Sequence, residues 1–322
     1  MKAAVYYETG PPDVFRYEEV PDSVCPPDGV VIEVQAISIE GGDVLHRAGG
    51  DMAGRPHIVG YQCAGVVREV GPQGGDRQVG QRVVAIMFFG SHAERVAVPV
   101  AATWVVPDEV DLELAACVPI AVGTADDCLF EFGRLQAGET ALVQAGAGGV
   151  GMAAIQLAKR AGATVLATAS SDERLARLKE FGLDHGINYR ETDFVAAVRE
   201  ITGGRGADVV LDSVGGKTLE GSIEAAAYRG RISYVGSAGR DDYRPNLDLL
   251  RPTNKSLTGV FFGAELALHR DRVHPMVARH IADLATGALR IVIDRRYPLA
   301  EAADAHRYIE SRQAFGRVVL VP

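Results

Sequence analysis

The sequence predicts an α/β protein in which a β-rich first third leads into a parallel sheet covered by helices on both faces. Three observations carry this. The first ~120 residues hold β-branched runs separated by Gly, Pro and Asp turns. After Leu114 short apolar runs alternate with helical patterns across short loops, the rhythm of a parallel sheet. Between one such run and the helix after it, Gly146, Gly148 and Gly151 satisfy G-x-G-x-x-G.

Taken in order, Val30–Ala36, Gly65–Val70, Arg82–Ile86 and Glu94–Pro99 read as strands of a rolled antiparallel sheet. Pro26-Pro27-Asp28-Gly29 and Gly71-Pro72-Gln73-Gly74-Gly75 punctuate them. Further strands are expected at Thr140–Gln144, Thr164–Ala169, Val209–Asp212, Arg231–Val235 and Leu257–Phe261. Helices are expected at Val150–Ala161, Ser171–Phe181, Asp193–Thr202, Leu219–Ala226 and Asn246–Arg251. Helices near Pro275–Thr286 and Glu301–Ser311 and a strand at Gly316–Val321 close the chain.

The glycine turn is the most informative stretch. Apolar Ala141–Val143 leads into it, and Val150, Ala154, Leu157, Ala158 and Ala161 recur at helical spacing after it. Glycines at these offsets permit a tight strand-to-helix turn and close backbone approach to a pyrophosphate at the helix N-terminus. With 37 glycines in the chain the motif alone is weak, and its strand-then-helix context makes dinucleotide binding the better reading over an ordinary βα turn. An NAD site places a carboxylate ~20 residues on, at the tip of the second strand. Here the tip is Ala169-Ser170-Ser171, Asp172 falls where it would serve the next helix, and Arg174 follows within the first turn. A polar tip beside a cation suits a 2′-phosphate, so NADPH is expected over NADH. The plainer readings are helix capping for the serines and a solvated face for Arg174.

Composition sets bounds. Of 322 residues, 47% are hydrophobic and 23% charged, as in a globular enzyme of about two domains. A net charge of −9 argues against nucleic acid. The first apolar run meets Glu8 quickly, which reads as a strand and not a signal peptide, and no run approaches the ~18–20 residues that span a bilayer. A cytoplasmic location without membrane association is expected. Cys25, Cys63, Cys117 and Cys128 show no C-x-x-C spacing and read as packed thiols. The eight histidines are scattered, and His306 reads as a helix-face residue.

Several segments together resemble the zinc-independent quinone oxidoreductase branch of the medium-chain dehydrogenase/reductase superfamily, the relatives of zeta-crystallin. They are MKAAVYYETGPPDVF; D-x-x-x-R-x-G from Asp43; IVGYQCAGVVREVG with Pro56 before it; Gly80-Gln81-Arg82-Val83; AGAGGVG from Ala145; and YPLAEAADAHRYIESRQAFGRVVL from Tyr297. The likeness spans nearly the whole chain. It implies a Rossmann doubly wound parallel sheet (residues 122–266) inserted into a GroES-like (chaperonin-10-like) β-rich catalytic domain (1–121 plus 267–322), with ligands in the cleft between them. Zinc-dependent members place Cys at Glu40, His-Glu at Tyr61-Gln62 and a further ligand near Pro119. This chain therefore reads as metal-free.

The resemblance further implies site residues. Thr124 would sit near the nicotinamide, and Gly146, Gly148, Gly149, Val150 and Gly151 around the pyrophosphate. Ser170, Arg174 and Tyr189 would surround the adenosine phosphate. Val235, Gly236, Ser237, Phe261 and Phe262 would line the nicotinamide ribose and carboxamide, and Arg317 is a further cofactor position. Tyr189 also reads as a loop aromatic, and one of Phe261 and Phe262 as core. Tyr61 or Asp43 would lend a proton to the acceptor; both could equally line or support the site. Glu40, where quinone reductases commonly carry Asn, and Asp126, where many carry Tyr, leave the acceptor open.

Without a Lewis acid, the expected chemistry is hydride transfer from NADPH to a quinone or other conjugated carbonyl, whose developing charge delocalises onto oxygen. The alternatives are an enoyl-thioester or 2-alkenal reductase, and a non-catalytic NADPH-binding zeta-crystallin-like protein. A homodimer is implied, pairing through the sheet edge near Gly259–Gly263, a run that would otherwise be an exposed apolar edge.

Overall fold

A computed structural model describes residues 1–322. Its elements begin β1 (Lys2–Tyr6), β2 (Arg16–Glu19), β3 (Gly29–Ser38), α1 (Gly41–Gly49), β4 (His57–Ile58), β5 (Gln62–Val70), β6 (Arg82–Ile86), β7 (Arg95–Pro99), β8 (Thr103–Val105), α2 (Leu112–Ala115) and α3 (Pro119–Asp126). They continue with β9 (Thr140–Val143), α4 (Gly149–Arg160), β10 (Thr164–Ala169), α5 (Asp172–Leu178), β11 (His185–Asn188), α6 (Phe194–Ile201), β12 (Ala207–Asp212), α7 (Gly216–Ala225) and β13 (Ala226–Tyr234). The chain ends with β14 (Ser256–Gly259), α8 (Phe262–Leu268), α9 (Arg270–Thr286), β15 (Ile293–Pro298), α10 (Ala302–Glu310) and β16 (Arg317–Val321).

Two compact units result, Met1–Ala121 with Asp271–Pro322, and Val122–Arg270. In the first, a seven-stranded sheet runs β15-β16-β3-β5-β6-β8, with β7 also on β3, beside a three-stranded β2-β1-β4 sheet. All pairings here are antiparallel except β15 with β16. Alternation along β3 and β7 sends Val30, Ile32, Val34, Val96 and Val98 into a core closed by Leu299, Ala305 and Leu320 from the C-terminal segment.

The second unit is a six-stranded, wholly parallel sheet ordered β11-β10-β9-β12-β13-β14. Leu142, Leu166, Val210 and Ile232 are buried from four of its strands, which explains why these runs read as continuously apolar. Strand order reverses at β9 and β12, the switch point where open α/β sheets receive ligands beyond their strand ends.

Two expectations are corrected. Asn246–Arg251 is not an α-helix: residues 247–253 form a 3₁₀ helix containing Pro252, which cannot donate an intrahelical bond. The Leu257–Phe261 strand stops at Gly259, so the sheet edge is Ser256–Gly259 and not the GVFFG run. Phe261 instead caps α8 and Phe262 opens it. His306 lies on α10 as expected, on its buried face, its Nε2 3.1 Å from His92 Nε2.

Candidate functional site

In the second unit, the glycine turn joins β9 to α4 by contacts that only glycine allows. A Cβ on Gly151 would lie 2.4 Å from the Ala145 carbonyl, and one on Gly146 would lie 2.8 Å from Ala167 Cβ. Ala145 itself takes φ 54° to turn the chain. Gly148 differs: a Cβ there meets nothing nearer than 3.5 Å, and the residue is exposed. It is the N-cap of the 12-residue α4, whose ladder is joined at Met152 N–H to the Gly148 carbonyl. The first-turn N–H groups of Gly149, Val150 and Gly151 precede that bond and face outward with the positive end of the helix dipole. This arrangement fits a pyrophosphate.

A buried polar chain holds the turn from beneath. Thr168 Oγ1 accepts Ala145 N–H at 3.1 Å and donates to Gln144 Oε1 at 2.7 Å. Gln144 Nε2 donates to Ser222 Oγ (3.0 Å), and Ser222 donates to Asp212 Oδ2 (2.7 Å). Asp212 Oδ1 accepts Val214 and Gly215 N–H, fixing the loop after β12. Burial pushes its carboxyl upward, and these donors partly hold it down.

The remaining residues expected at the cofactor lie at the same carboxyl ends or on α3. Ser170 follows β10, and Tyr189, half-exposed, follows β11 with its N–H on Ala169. Ser171 caps α5 by accepting Arg174 N–H. Asp172, the nearest carboxylate to the tip, accepts from Asn188 Nδ2 at 3.2 Å. Val235, Gly236 and Ser237 follow β13, against Gly215 of the neighbouring loop. Phe262 is 4% exposed, and a Cβ on Gly123 beside Thr124 would strike its ring at 2.4 Å. Phe261 is 68% exposed, so the pair divides into one core ring and one free face.

Arg317 is a correction. It lies in the first unit, buried, and is spent on internal acceptors. Nη1 donates to Glu40 Oε2 (3.1 Å), Nη2 to Glu40 Oε1, Ser38 Oγ (2.6 Å) and the Ile39 carbonyl (2.9 Å), and Nε to Ser38 Oγ (3.1 Å). It is the counter-ion of Glu40, not a cofactor ligand. Gln62 Nε2 also donates to Glu40, and Gln62 Oε1 accepts Ile120 N–H at 3.0 Å. Burial pushes the Glu40 carboxyl up and the guanidinium pulls it down; burial prevails.

Asp43 is likewise internal. Its Oδ2 accepts Glu40 N–H at 2.8 Å, while Oδ1 is buried with no partner. Complete burial holds its carboxyl well above the usual range, and Glu40 adds to this. Both carboxylates are buried and engaged inside the protein, Glu40 by Arg317 and Gln62 and Asp43 by the Glu40 N–H, which argues against the proton role expected of Asp43. Of the three residues, Tyr61 alone is partly exposed. Its ring lies on Gly42 of α1, where a Cβ would come within 2.5 Å of Cε2, and its hydroxyl is 3.3 Å from His46 Nδ1. Burial, then the charges of Asp43 and Glu40, push its phenol strongly upward, so it is a neutral donor. Sequence reasoning missed His46. The only signal was its i,i+4 spacing from Gly42 inside a glycine-flanked segment.

Residues 26–108 match the alcohol dehydrogenase GroES-like domain family, and residues 149–283 the zinc-binding dehydrogenase family. The second description implies zinc, but the donor set does not fit it. No three His, Cys, Asp or Glu side chains are grouped to hold an ion, and Glu40 is engaged by Arg317 and Gln62. The 2-haloacrylate reductase of a Burkholderia species is 34% identical over 340 residues, covering 100% of this chain and 99% of that protein. Escherichia coli quinone oxidoreductase, solved with NADPH, superposes with a TM-score of 0.94 at 26% identity over 100% of both chains. The CurK enoyl reductase superposes at 0.89 with 26% identity, over 99% of each chain.

Proposed function

The chain belongs to the zinc-independent, quinone oxidoreductase-like branch of the medium-chain dehydrogenase/reductase superfamily, a family of oxidoreductases, and on that premise we propose that it reduces a quinone or another conjugated carbonyl with NADPH. The observation that carries the reading is the exposed Gly148 at the open N-terminus of α4, with space where any side chain would stand. The NADPH complex of the Escherichia coli relative supports it.

When bound, the reduced nicotinamide supplies the hydride. The chain's own residues do the rest. The first turn of α4 binds the pyrophosphate, and the Thr168–Gln144–Ser222–Asp212 chain keeps that turn from yielding. Ser170 and Arg174 select the 2′-phosphate, since the strand tip offers no carboxylate to ribose hydroxyls and Asp172 is engaged by Asn188. Thr124, Tyr189, Val235, Gly236, Ser237 and Phe261 complete the cofactor's surroundings. Tyr61 donates the proton that accompanies the hydride. An electron-poor acceptor suits such a site, because its developing charge spreads onto oxygen.

NADPH oxidation at 340 nm with 1,2-naphthoquinone tests the reading, with crotonyl-CoA as the rival acceptor. The likeness to an enoyl reductase favours the second reading, reduction of an enoyl thioester. Turnover of the thioester alone would select it. Arg174→Ala is expected to raise Kd for NADPH more than for NADH. We also propose that the exposed edge strand β14 pairs with a second copy. Light scattering is then expected to return twice the 34.2 kDa of the chain, and a monomer would refute the pairing.

A further inference from the structure

We propose that His46 sets the direction of the Tyr61 hydrogen bond, so that Tyr61 becomes a proton donor to the acceptor only when the His46 ring is protonated. The inference rests on the proton role given to Tyr61 above.

The geometry fixes the tautomer. His46 Nε2 lies 2.6 Å from the Asp51 carbonyl. A carbonyl can only accept, so Nε2 carries hydrogen and Nδ1 of the neutral ring is a bare lone pair. At 3.3 Å from that lone pair, the Tyr61 hydroxyl must donate to it. In this state the phenolic hydrogen is spent on the protein. Protonating Nδ1 reverses the bond: His46 donates to Tyr61 Oη, and the phenolic hydrogen is released toward the acceptor.

Both rings are held for this exchange. Tyr61 packs an edge of its ring on Gly42, and a Cβ on Gly50 would come within 2.8 Å of His46 Cδ2. Phe89 packs edge-on against His46 with centroids 4.7 Å apart. His57 of β4 stacks parallel to His46 at 6.0 Å, itself against Phe89 at 4.8 Å and Tyr6 of β1 at 5.0 Å. The charged groups of α1 itself are Asp43 and Arg47, and Asp51 lies beyond its end. Burial, with the charge of His46, lowers His57 to about 4, so His57 stays neutral beside His46. His46 is only partly buried, so water reaches the ring.

The step balances. Hydride from NADPH adds to the conjugated acceptor and leaves an electron pair on its oxygen. The Tyr61 O–H bond breaks as the product O–H bond forms. The His46 Nδ1–H bond breaks as the Tyr61 O–H bond re-forms. Neutral His46, with Nε2–H still on Asp51, regains its proton from water.

The test measures kcat from pH 5 to 9 with NADPH and 1,2-naphthoquinone, together with ¹⁵N NMR of the His46 ring. Wild-type kcat should fall as pH rises through the His46 titration. His46→Phe should lose that limb and about 10²-fold in kcat, with KM for NADPH unchanged. His46→Asn should likewise lose the limb, and Tyr61→Phe combined with His46→Phe should be no slower than Tyr61→Phe alone. A limb retained in His46→Phe would overturn the proposal. If the wild type turns over no acceptor, the functional reading fails separately, and NMR still decides this one. A neutral ring protonated at Nε2 supports it, and one protonated at Nδ1 overturns it.

Discussion

Replacing Arg317 with Met isolates a buried ion pair of the first unit. The side chain is 6% exposed and satisfies both Glu40 oxygens, Ser38 Oγ and the Ile39 carbonyl. Met fills much of the volume but donates nothing, leaving Glu40 with Gln62 as its remaining side-chain donor. Removing one partner of a buried ion pair costs ~3–5 kcal/mol, because the other charge stays desolvated. The loss should depend on pH. In the variant, burial acts on the Glu40 carboxyl without the opposing guanidinium and keeps it protonated in the folded state, whereas the unfolded chain ionises near ~4.3. The unfolded state then binds fewer protons, so the variant's stability falls as pH rises above that value. Urea unfolding followed by circular dichroism at pH 4.5 and pH 8 reads both effects. The gap to wild type should be small at the lower pH and reach the full ~3–5 kcal/mol at the higher. Glu40→Gln combined with Arg317→Met should recover part of it. A gap under ~1 kcal/mol, or one equal at both pH values, would refute the burial argument.

Other outcomes follow from the same geometry. Gly148→Ala should leave unfolding within ~0.5 kcal/mol of wild type yet weaken NADPH binding at least about tenfold, whereas Gly151→Ala, whose Cβ would meet the Ala145 carbonyl at 2.4 Å, should lower both stability and binding; fluorescence titration beside urea unfolding separates them. Asp43→Asn mimics the protonated carboxyl. Because the folded pKa of Asp43 is raised, wild type loses stability as pH climbs past the unfolded value of ~3.9, so the variant should gain on it from pH 4 to 8, and a flat difference would contradict the assignment. His92, lowered to about 3, and His306, lowered well below the usual range, are buried neutral, chiefly through desolvation. The unfolded chain therefore takes up protons that the folded chain refuses below pH ~6.5, and replacing both with Gln should flatten the acid limb of the stability curve.

Much of the second unit was legible in the sequence because its determinants are local. Gly151 is dictated by atoms within the same strand-turn-helix, Gly146 by Ala167 of the adjacent strand β10, and Ser171 caps the helix it precedes. The Phe261–Phe262 pair was misread as strand because apolar residues after a strand look like its continuation, and only the packing of Phe262 beneath Gly123 turns the chain into α8. In the first unit, α1 was invisible since four glycines flank and dilute its apolar spacing, and β15 (IDRRYP) hides behind its charges. The partners of Glu40 could not be read at all: Arg317 lies 277 residues away, and Gln62 approaches only once β5 is in register with β3 and β6. Tyr61 and His46 are 15 residues apart and meet only because the chain returns from α1 through β4.

The most direct test of the account is anaerobic mixing of the protein, treated with chelator, with NADPH and 1,2-naphthoquinone or crotonyl-CoA while absorbance at 340 nm is followed. The expected result is oxidation of one NADPH per acceptor reduced, unaffected by chelator and faster than with NADH. NADPH that binds but is oxidised by neither acceptor, or turnover that chelation abolishes and added zinc restores, would contradict it.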